Sequence, residues 1–324
     1  MPPLPRRGAI AAAALALAAP YVARAAEFPT RPVRLVVPFP PGGPTDTIAR
    51  LVAPRVERGW GQPVVVENRG GAGGNIGTAA VARAAPDGHT LLLVASSHAI
   101  NPSIFRALPY DPLRDFVPVA LLASSPFVLV VHPSVPANSL AELIALARAR
   151  PGRLNYASAS NGSGNHLAME MLKAAAGVDL VHVPYAGAAP ATTDLLAGQV
   201  PVMFNNMVSA VPHIPAGRLR ALAVSGQRRA AALSEVPTVA ESGFSGFDAT
   251  TWYGVLAPAR TPPFIVAELN ARFVTALDGA QQRERLAALG LNPTPMAPDA
   301  FGRFIESEMA KWGRAARAAD VQVD

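Results

Sequence analysis

Short apolar runs alternate with amphipathic segments along most of this chain. The runs Thr90–Ala95 and Leu219–Val224 have the length and the aliphatic character of buried strands. Leu140–Arg150 places apolar residues at helical spacing, with Ser139 in the N-cap position. Repeated alternation of strand and helix predicts mostly parallel sheets with helices on both faces. The pattern therefore predicts an α/β fold, in which ligands bind at the carboxyl ends of the strands.

The segment Val33–Ala53 combines an apolar strand, a loop rich in proline and glycine, and an amphipathic helix. We predict Thr45 or Asp46 as the cap of that helix. The free N–H groups at a helix start, together with the positive end of the helix dipole, attract an anion. Leu154–Leu172 has the same order of strand, glycine-containing loop and helix. Because the two units are far apart in the sequence, they predict a ligand held between two lobes.

Candidate crossings between the lobes are two apolar runs, Phe127–His132 and Thr251–Pro258, bordered by proline and small residues. Two crossing strands would form a hinge about which the lobes close. Val117–Leu122 is predicted as a separate strand before the first crossing. The helices near Pro263–Leu277 and Ala300–Ala319 are expected to pack on the first domain. The predicted domains are residues 26–127 plus 253–324, and residues 128–252.

The N-terminus has the organisation of an export signal. Arg6-Arg7 is a charged start, Gly8–Ala19 is a short apolar run, and Ala23–Ala25 is an A-x-A cleavage site. The apolar run is shorter than the roughly 20 residues that a membrane span needs. We therefore predict that residues 1–25 are a signal peptide and that the mature chain, beginning at Ala26, is periplasmic. The route, general secretion or twin-arginine, stays open.

Charge and composition exclude several functions. The formal net charge is +6 and the pI is 10.3, but Arg6, Arg7 and Arg24 lie in the predicted signal peptide. The other basic residues are scattered without interleaved aromatics, which argues against nucleic-acid binding. The chain has no cysteine, so thiol catalysis and cysteine metal sites are excluded. The six histidines are dispersed without metal-ligand spacing, so no metal or other cofactor is predicted.

Two motifs suggest enzymes and fail on spacing. Gly71–Gly77 follows a strand and opens a helix, as a dinucleotide-binding loop does, but Ile76 occupies the position of the third glycine. Ser163 and His166 suggest a hydrolase, but asparagines replace both glycines of the nucleophile motif. No acid or histidine is paired with a credible nucleophile. We therefore predict a binding protein and keep a periplasmic carboxylate-processing enzyme that uses His166 as the alternative.

Six segments span essentially the whole mature chain in order: Phe39–Asp46, Val64–Gly77, Ser97–Pro102, Ser160–Leu172, Val183–Gly187 and Thr251–Ala259. Together they resemble the solute receptors of tripartite tricarboxylate transporters, the Bug family. The resemblance implies a periplasmic receptor with a two-domain, type II binding-protein fold. It also implies that the receptor holds a small organic carboxylate, partly through ordered water, and delivers it to membrane permease subunits. A monomer is expected, and a sensor receptor without its own permease remains a further alternative.

By position, the resemblance also implies the ligand-binding residues. Two departures from the family pattern bear on the ligand: an asparagine replaces the acid of the FDN segment, and Ala186 replaces a lysine common in the family. Without that acid a substrate ammonium loses a partner, so an amino acid is a less obvious ligand. The implied residues are Phe39, Pro41, Gly42, Gly43, Thr45, Asp46, Asn75, Ser97, Ser160, Gly162, Ser163, Gly164, His166, Tyr185 and Asn205.

Overall fold

The computed structural model describes residues 28–323, so the predicted signal peptide lies outside the described residues. Within this range no helix is both long and apolar enough to cross a membrane. The strands are β1 (Val33–Val37), β2 (Val64–Asn68), β3 (Thr90–Ala95), β4 (Phe116–Val131), β5 (Asn155–Ser158), β6 (Val181–Pro184), β7 (Val202–Asn206), β8 (Arg220–Val224), β9 (Thr250–Pro258) and β10 (Asn292–Met296). The helices are α1 (Pro44–Glu57), α2 (Asn75–Ala82), α3 (Ser97–Ile104), α4 (Leu140–Ala149), α5 (Gly164–Ala176), α6 (Ala188–Leu196), α7 (Met207–Ala210), α8 (Pro263–Thr275), α9 (Ala280–Ala288) and α10 (Pro298–Ala318).

The strands join in the order β2-β1-β3-β9-β4-β7-β5-β6, with β8 and β10 also paired to β4. The pairs are parallel at the two ends, where β1 lies between β2 and β3 and where β5 lies between β6 and β7. They are antiparallel around β4 and β9. The prediction of mostly parallel sheets is therefore right for the outer strands and wrong for the centre, where the chain returns between the two ends.

β4 is one long strand where the sequence pattern predicts two. Its first part, up to Pro126, pairs with β9, and its last part, from Phe127, pairs with β7 and β8. The polar pair Ser124-Ser125 resembles a break in the sequence. Ser125 is nevertheless buried, and its hydroxyl donates to the carbonyl of Gly290 at 2.7 Å, so the strand continues without an unpaired polar group. The partners of β4 thus change at Phe127, and the crossing between lobes at Phe127–His132 stays a prediction.

The last helix contacts more of the molecule than we expect from the sequence. Phe301 and Ile305 of α10 pack in a cluster with Trp252 and residues of the first strands, as predicted. Farther along, Trp312 joins the apolar cluster that contains Tyr156 and other residues of the central segment. The helix therefore packs on both parts of the sheet, because its apolar stripe continues over its full length.

The start of α4 lies where the sequence predicts it. Ser139 caps α4 as predicted, and its hydroxyl accepts the N–H of Glu142 at 3.2 Å. The helices α1, α3, α5 and α6 each begin directly after the carboxyl end of a strand, respectively β1, β3, β5 and β6. This arrangement, typical of α/β folds, brings four helix starts toward one another.

Candidate ligand-binding site

A cavity of about 70 Å³ lies where the loops after β1 and β3 meet the loops after β5 and β6. This volume is well above the roughly 10–15 Å³ that a cavity needs to hold one water, so ordered water or part of a small ligand fits there. The starts of α1, α3, α5 and α6 face it, and the ends of β7 and β9 contribute side chains. The lining residues are Phe39, Pro40, Gly43, Pro44, Thr45, Ala95, Ser96, Ser97, Phe127, Ala159, Ser160, Ser163, Gly164, Asn165, Ala188, Ala189, Asn206, Thr251 and Tyr253.

The side chains that line the cavity are uncharged, and many of them can donate hydrogen bonds. Its lining includes seven hydroxyl groups and two amides and no charged side chain. The first intrahelical hydrogen bonds are donated by Thr47 in α1 and by Leu167 in α5, so the amides before them remain available. The same holds in α3 and α6, where these bonds begin at Ala99 and Ala191. Four helix starts around a neutral cavity create a positive potential that suits an anion.

Asn165 presents an unpaired donor to the cavity. The residue is only 2% exposed. Its Oδ1 accepts from the Ser163 hydroxyl at 2.7 Å and from the Ala159 N–H at 3.4 Å, which fixes the orientation of the amide. Its Nδ2 has no acceptor within the described part of the chain. An unsatisfied buried donor costs about 1–3 kcal/mol. A ligand or water oxygen in the cavity that accepts from Asn165 Nδ2 would remove this cost.

A second set of polar groups comes from β3, β7 and β9. The Ser96 and Thr251 hydroxyls are 3.0 Å apart, and Asn206 Nδ2 donates to the Tyr253 hydroxyl at 3.2 Å. Burial raises the pKa of Tyr253, so its hydroxyl keeps the proton that it can donate to a ligand. The sequence interpretation missed these residues, because it read the Tyr253 region as hinge packing.

Most of the chain matches a known family. Residues 48–321 match the tripartite tricarboxylate transporter family receptor, TctC. This chain is a TctC receptor. The family consists of periplasmic solute-binding receptors, which decides between a binding protein and an enzyme in favour of the binding protein.

Individual relatives support the same assignment. Protein BugT of Bordetella pertussis is 42% identical over 292 residues, which cover 90% of each chain. The structure of R. palustris Rpa4515 with adipate is 39% identical, with a TM-score of 0.89, over 91% of this chain and 99% of that one. MatC from Rhodopseudomonas palustris with bound malate is 38% identical, with a TM-score of 0.84, over 89% and 99%. The predicted Bug-family membership and α/β binding-protein fold are confirmed.

The first loop of this TctC receptor differs locally from the prediction. α1 begins at Pro44 and its N-cap is Gly43, with no side-chain cap, so the prediction of Thr45 or Asp46 as the cap is wrong. Proline suits the first helical position because its missing N–H has no partner there in any helix. The N-cap therefore lies before both Thr45 and Asp46, and Thr45, within the first turn, lines the cavity.

Asp46 stabilises the loop and does not line the cavity. Its carboxylate accepts from the Gly42 N–H and from Asn68 Nδ2, each at 3.0 Å, and pairs with Arg50 at 3.0 Å. Burial acts to raise the pKa of Asp46, but the hydrogen bonds from Arg50, Gly42 and Asn68 outweigh it and lower the pKa. The ionised carboxylate thus holds the glycine loop in place. Its implied role in ligand binding stays a prediction.

His166 contacts its own loop, not a nucleophile. Its Nδ1 accepts the Gly162 N–H at 3.0 Å, and its ring stacks on His182 with the ring centroids 3.8 Å apart. Burial, with the neighbouring His182 and Lys173, lowers the pKa of His166 to about 3. The Ser163 hydroxyl lies beside oxygen acceptors of its own loop. This geometry provides no base for Ser163.

Asn75 and Tyr185 lie near the cavity without lining it. Asn75 Oδ1 accepts from Asn101 Nδ2 and from the Tyr110 hydroxyl, each at 2.7 Å. Asn101 also donates to the carbonyl of Gly73 at 3.2 Å, so this buried network holds the glycine-rich loop. The Tyr185 hydroxyl donates to Asp194 at 2.8 Å, on α6. Both side chains position loops of the cleft, and their predicted ligand contacts stay predictions.

The predicted site residues thus divide into two groups. The first group lines the cavity, while the second holds or borders the loops around it. In residues 28–323 no three acidic or histidine side chains converge as a metal site would require. The lining group is Phe39, Gly43, Thr45, Ser97, Ser160, Ser163 and Gly164. The bordering group is Pro41, Gly42, Asp46, Asn75, Gly162, His166, Tyr185 and Asn205.

Proposed function

We propose that this TctC receptor binds a small organic dicarboxylate in the neutral cavity and delivers it to membrane permease subunits. The observation that carries the proposal is the enclosure of an uncharged, donor-rich cavity by four helix starts. Related receptors with adipate and with malate add support, since both ligands are dicarboxylates. The predicted signal peptide would place the mature receptor in the periplasm, where such a transporter collects its substrate.

The helix starts form two pairs, which fits a ligand with two anionic ends. A Cβ placed on Gly42 would lie 3.8 Å from the Cβ of Ala189, so the starts of α1 and α6 are neighbours. A Cβ placed on Gly164 would lie 3.1 Å from Ser96 Oγ, so the starts of α5 and α3 are neighbours as well. Each pair concentrates N–H groups and positive dipole ends at one side of the cavity.

Neutral donors are sufficient for a doubly charged ligand in this setting. A hydrogen bond to a charged group contributes about 1.5–3 kcal/mol, and several are available here. Within a closed cleft the low local dielectric strengthens each of them. Waters that bridge ligand and protein supply further contacts at little entropic cost. Because no acidic side chain lines the cavity, a ligand ammonium has no charged partner, which favours diacids over amino acids.

A thermal-shift and calorimetry panel tests the proposal. The mature protein is titrated with monocarboxylates, dicarboxylates of four to eight carbons, tricarboxylates and amino acids. A dicarboxylate at 100 times its Kd should stabilise the fold by about 2.7 kcal/mol, and its dimethyl ester, the matched neutral control, should not. The proposal fails if no dicarboxylate binds, or if the diester binds as tightly as the diacid.

A further inference from the structure

Beside the ligand cavity lies a second cavity of about 90 Å³. The two cavities share a wall: Phe39, Pro40, Ala159 and Ser160 line both of them. Among these four residues Phe39 has the largest side chain. Beyond the shared wall, the second cavity is bounded by the glycine-rich segment 71–74 and by Ala186 and Gly187.

The Phe39 ring is held between the cavities. A Cβ placed on Gly74 would lie 3.3 Å from Phe39 Cζ, so the tip of the ring contacts the glycine-rich segment. The Phe39 carbonyl accepts from Asn68 Nδ2 at 3.1 Å, and Asn68 also donates to Asp46. The backbone behind the ring is therefore anchored by the same network that fixes the start of α1.

The second cavity can accept the far end of an extended ligand. Apart from the shared wall, its lining has no side chain larger than a methyl group and no charge. A methylene chain would therefore meet no steric obstacle there beyond the wall itself. Pro40 narrows the passage from the other side, because a Cβ placed on Gly187 would lie 3.3 Å from its ring.

We propose that Phe39 determines the length of the ligand by closing the first cavity against the second. The inference rests on the proposed function, since it concerns the chain length of the dicarboxylate. With Phe39 in place, the receptor prefers diacids short enough for the first cavity. Truncation of the ring joins the two cavities, and longer diacids then extend to the glycine-rich segment.

Calorimetry with α,ω-dicarboxylates of four, six and eight carbons tests this inference on wild type, Phe39→Ala and Phe264→Ala. Phe264 is 68% exposed and lines neither cavity, so its truncation is the matched control. Each methylene newly buried strengthens binding by up to about fourfold, so the affinity ratio of eight to six carbons should rise, by up to roughly sixteenfold, in Phe39→Ala. Phe264→Ala should keep the wild-type ratio.

The readout is the ratio between chain lengths, because loss of the ring can weaken every ligand. If Phe39→Ala unfolds at too low a temperature to be measured, Phe39→Leu is used instead. Its affinity ratio of eight to six carbons should change in the same direction by a smaller factor. If wild type binds diacids but the ratios in Phe39→Ala and Phe39→Leu equal the wild-type ratio, the inference is overturned and the proposed function stays intact. Wild type that binds no diacid would reject the proposed function, and this inference with it.

Discussion

Two neighbouring asparagines at the end of β7 differ in what their side chains can reach. Asn206 lines the cavity and donates to Tyr253. Asn205 is fully buried on the opposite face, where its Nδ2 donates to the Thr192 hydroxyl at 3.0 Å. Successive side chains of a strand point to opposite faces, so both cannot reach one ligand. Asn206 therefore lines the cavity and Asn205 does not, and the implied ligand contact of Asn205 stays a prediction.

Asn165→Ala should weaken dicarboxylate binding by about 1.5–3 kcal/mol, because the variant loses one hydrogen bond to a charged oxygen. The fold should stay intact, since Nδ2 has no partner among residues 28–323 and the Ser163 hydroxyl, which loses Asn165 Oδ1, keeps the carbonyl of Ser160 as an acceptor. Calorimetry measures the affinity and thermal melting checks the fold. Asn161→Ala, in the exposed part of the same loop, is the control and should bind as wild type does. Equal affinity in both variants would contradict the role of Asn165.

Among the secondary-structure elements, α5 has two roles: its first residues line the cavity, and its His166 forms a buried stack with His182. His182 of β6 stacks on His166, and its Nε2 lies 2.6 Å from the Ser158 hydroxyl, which donates to the carbonyl of Ser160 at 2.9 Å. The loop before α5 is thus held by both histidines. Burial lowers the pKa of His182 to about 4 and, in α3, that of His98 to about 4. The rings of His98, His166 and His182 are therefore neutral in the folded protein at neutral pH.

Stability should fall as the pH decreases from 6.5 toward 4. Since the folded-state pKa values of His98, His166 and His182 lie below the ordinary value of 6.5, the unfolded chain binds more protons in this window. Each histidine should contribute a slope of up to about 1.4 kcal/mol per pH unit. Urea unfolding at several pH values measures the slope, and His182→Asn should reduce it. Equal unfolding free energies at pH 8 and pH 5 would contradict this account.

Ligand affinity should behave differently from stability over that range. Among residues 28–323 no histidine lines the cavity, and a dicarboxylate stays ionised at pH values above its own pKa values. We therefore expect a constant Kd between pH 8 and pH 6. A steep change of Kd in that interval would point to a histidine at the site and against the lining described above.

For the whole molecule, β4 and β9 are the central connection. Both parts of the sheet pair with β4, which changes partner at Phe127, and β9 runs beside its first part. The loops of the two sides already touch, as the approach of Gly187 to Pro40 shows. This is the arrangement expected for a closed cleft. The predicted division into two domains about these strands stays a prediction.

Ligand binding should make the molecule more compact. A ligand that contacts loops on both sides shifts the equilibrium toward the closed state. The size of the shift is set by how much more tightly the ligand binds the closed state than the open state. Small-angle scattering should show a smaller radius of gyration with a confirmed dicarboxylate than without, and no change with its dimethyl ester. An unchanged radius would indicate a cavity that is closed before binding, and the hinge assignment would then be wrong.

The sequence by itself determined the alternation of strands and helices, the family, and the two glycine loops at helix starts, because these depend on local periodicity and on residues close in the chain. The strand Thr90–Ala95 and the cap Ser139 are found where the pattern predicts them. Only the tertiary structure decided that β4 is continuous, since Ser125 finds its acceptor far away in sequence at Gly290.

The same limit applies to the site. The sequence identified the loops but not which of their side chains face the cavity. Asp46 and His166 hydrogen-bond to their own loops, while Asn165 and Tyr253 line the cavity. The direction of a side chain depends on partners contributed by other elements, such as Asn68 for Asp46. Those partners come together only when the chain has folded, and no local pattern encodes them.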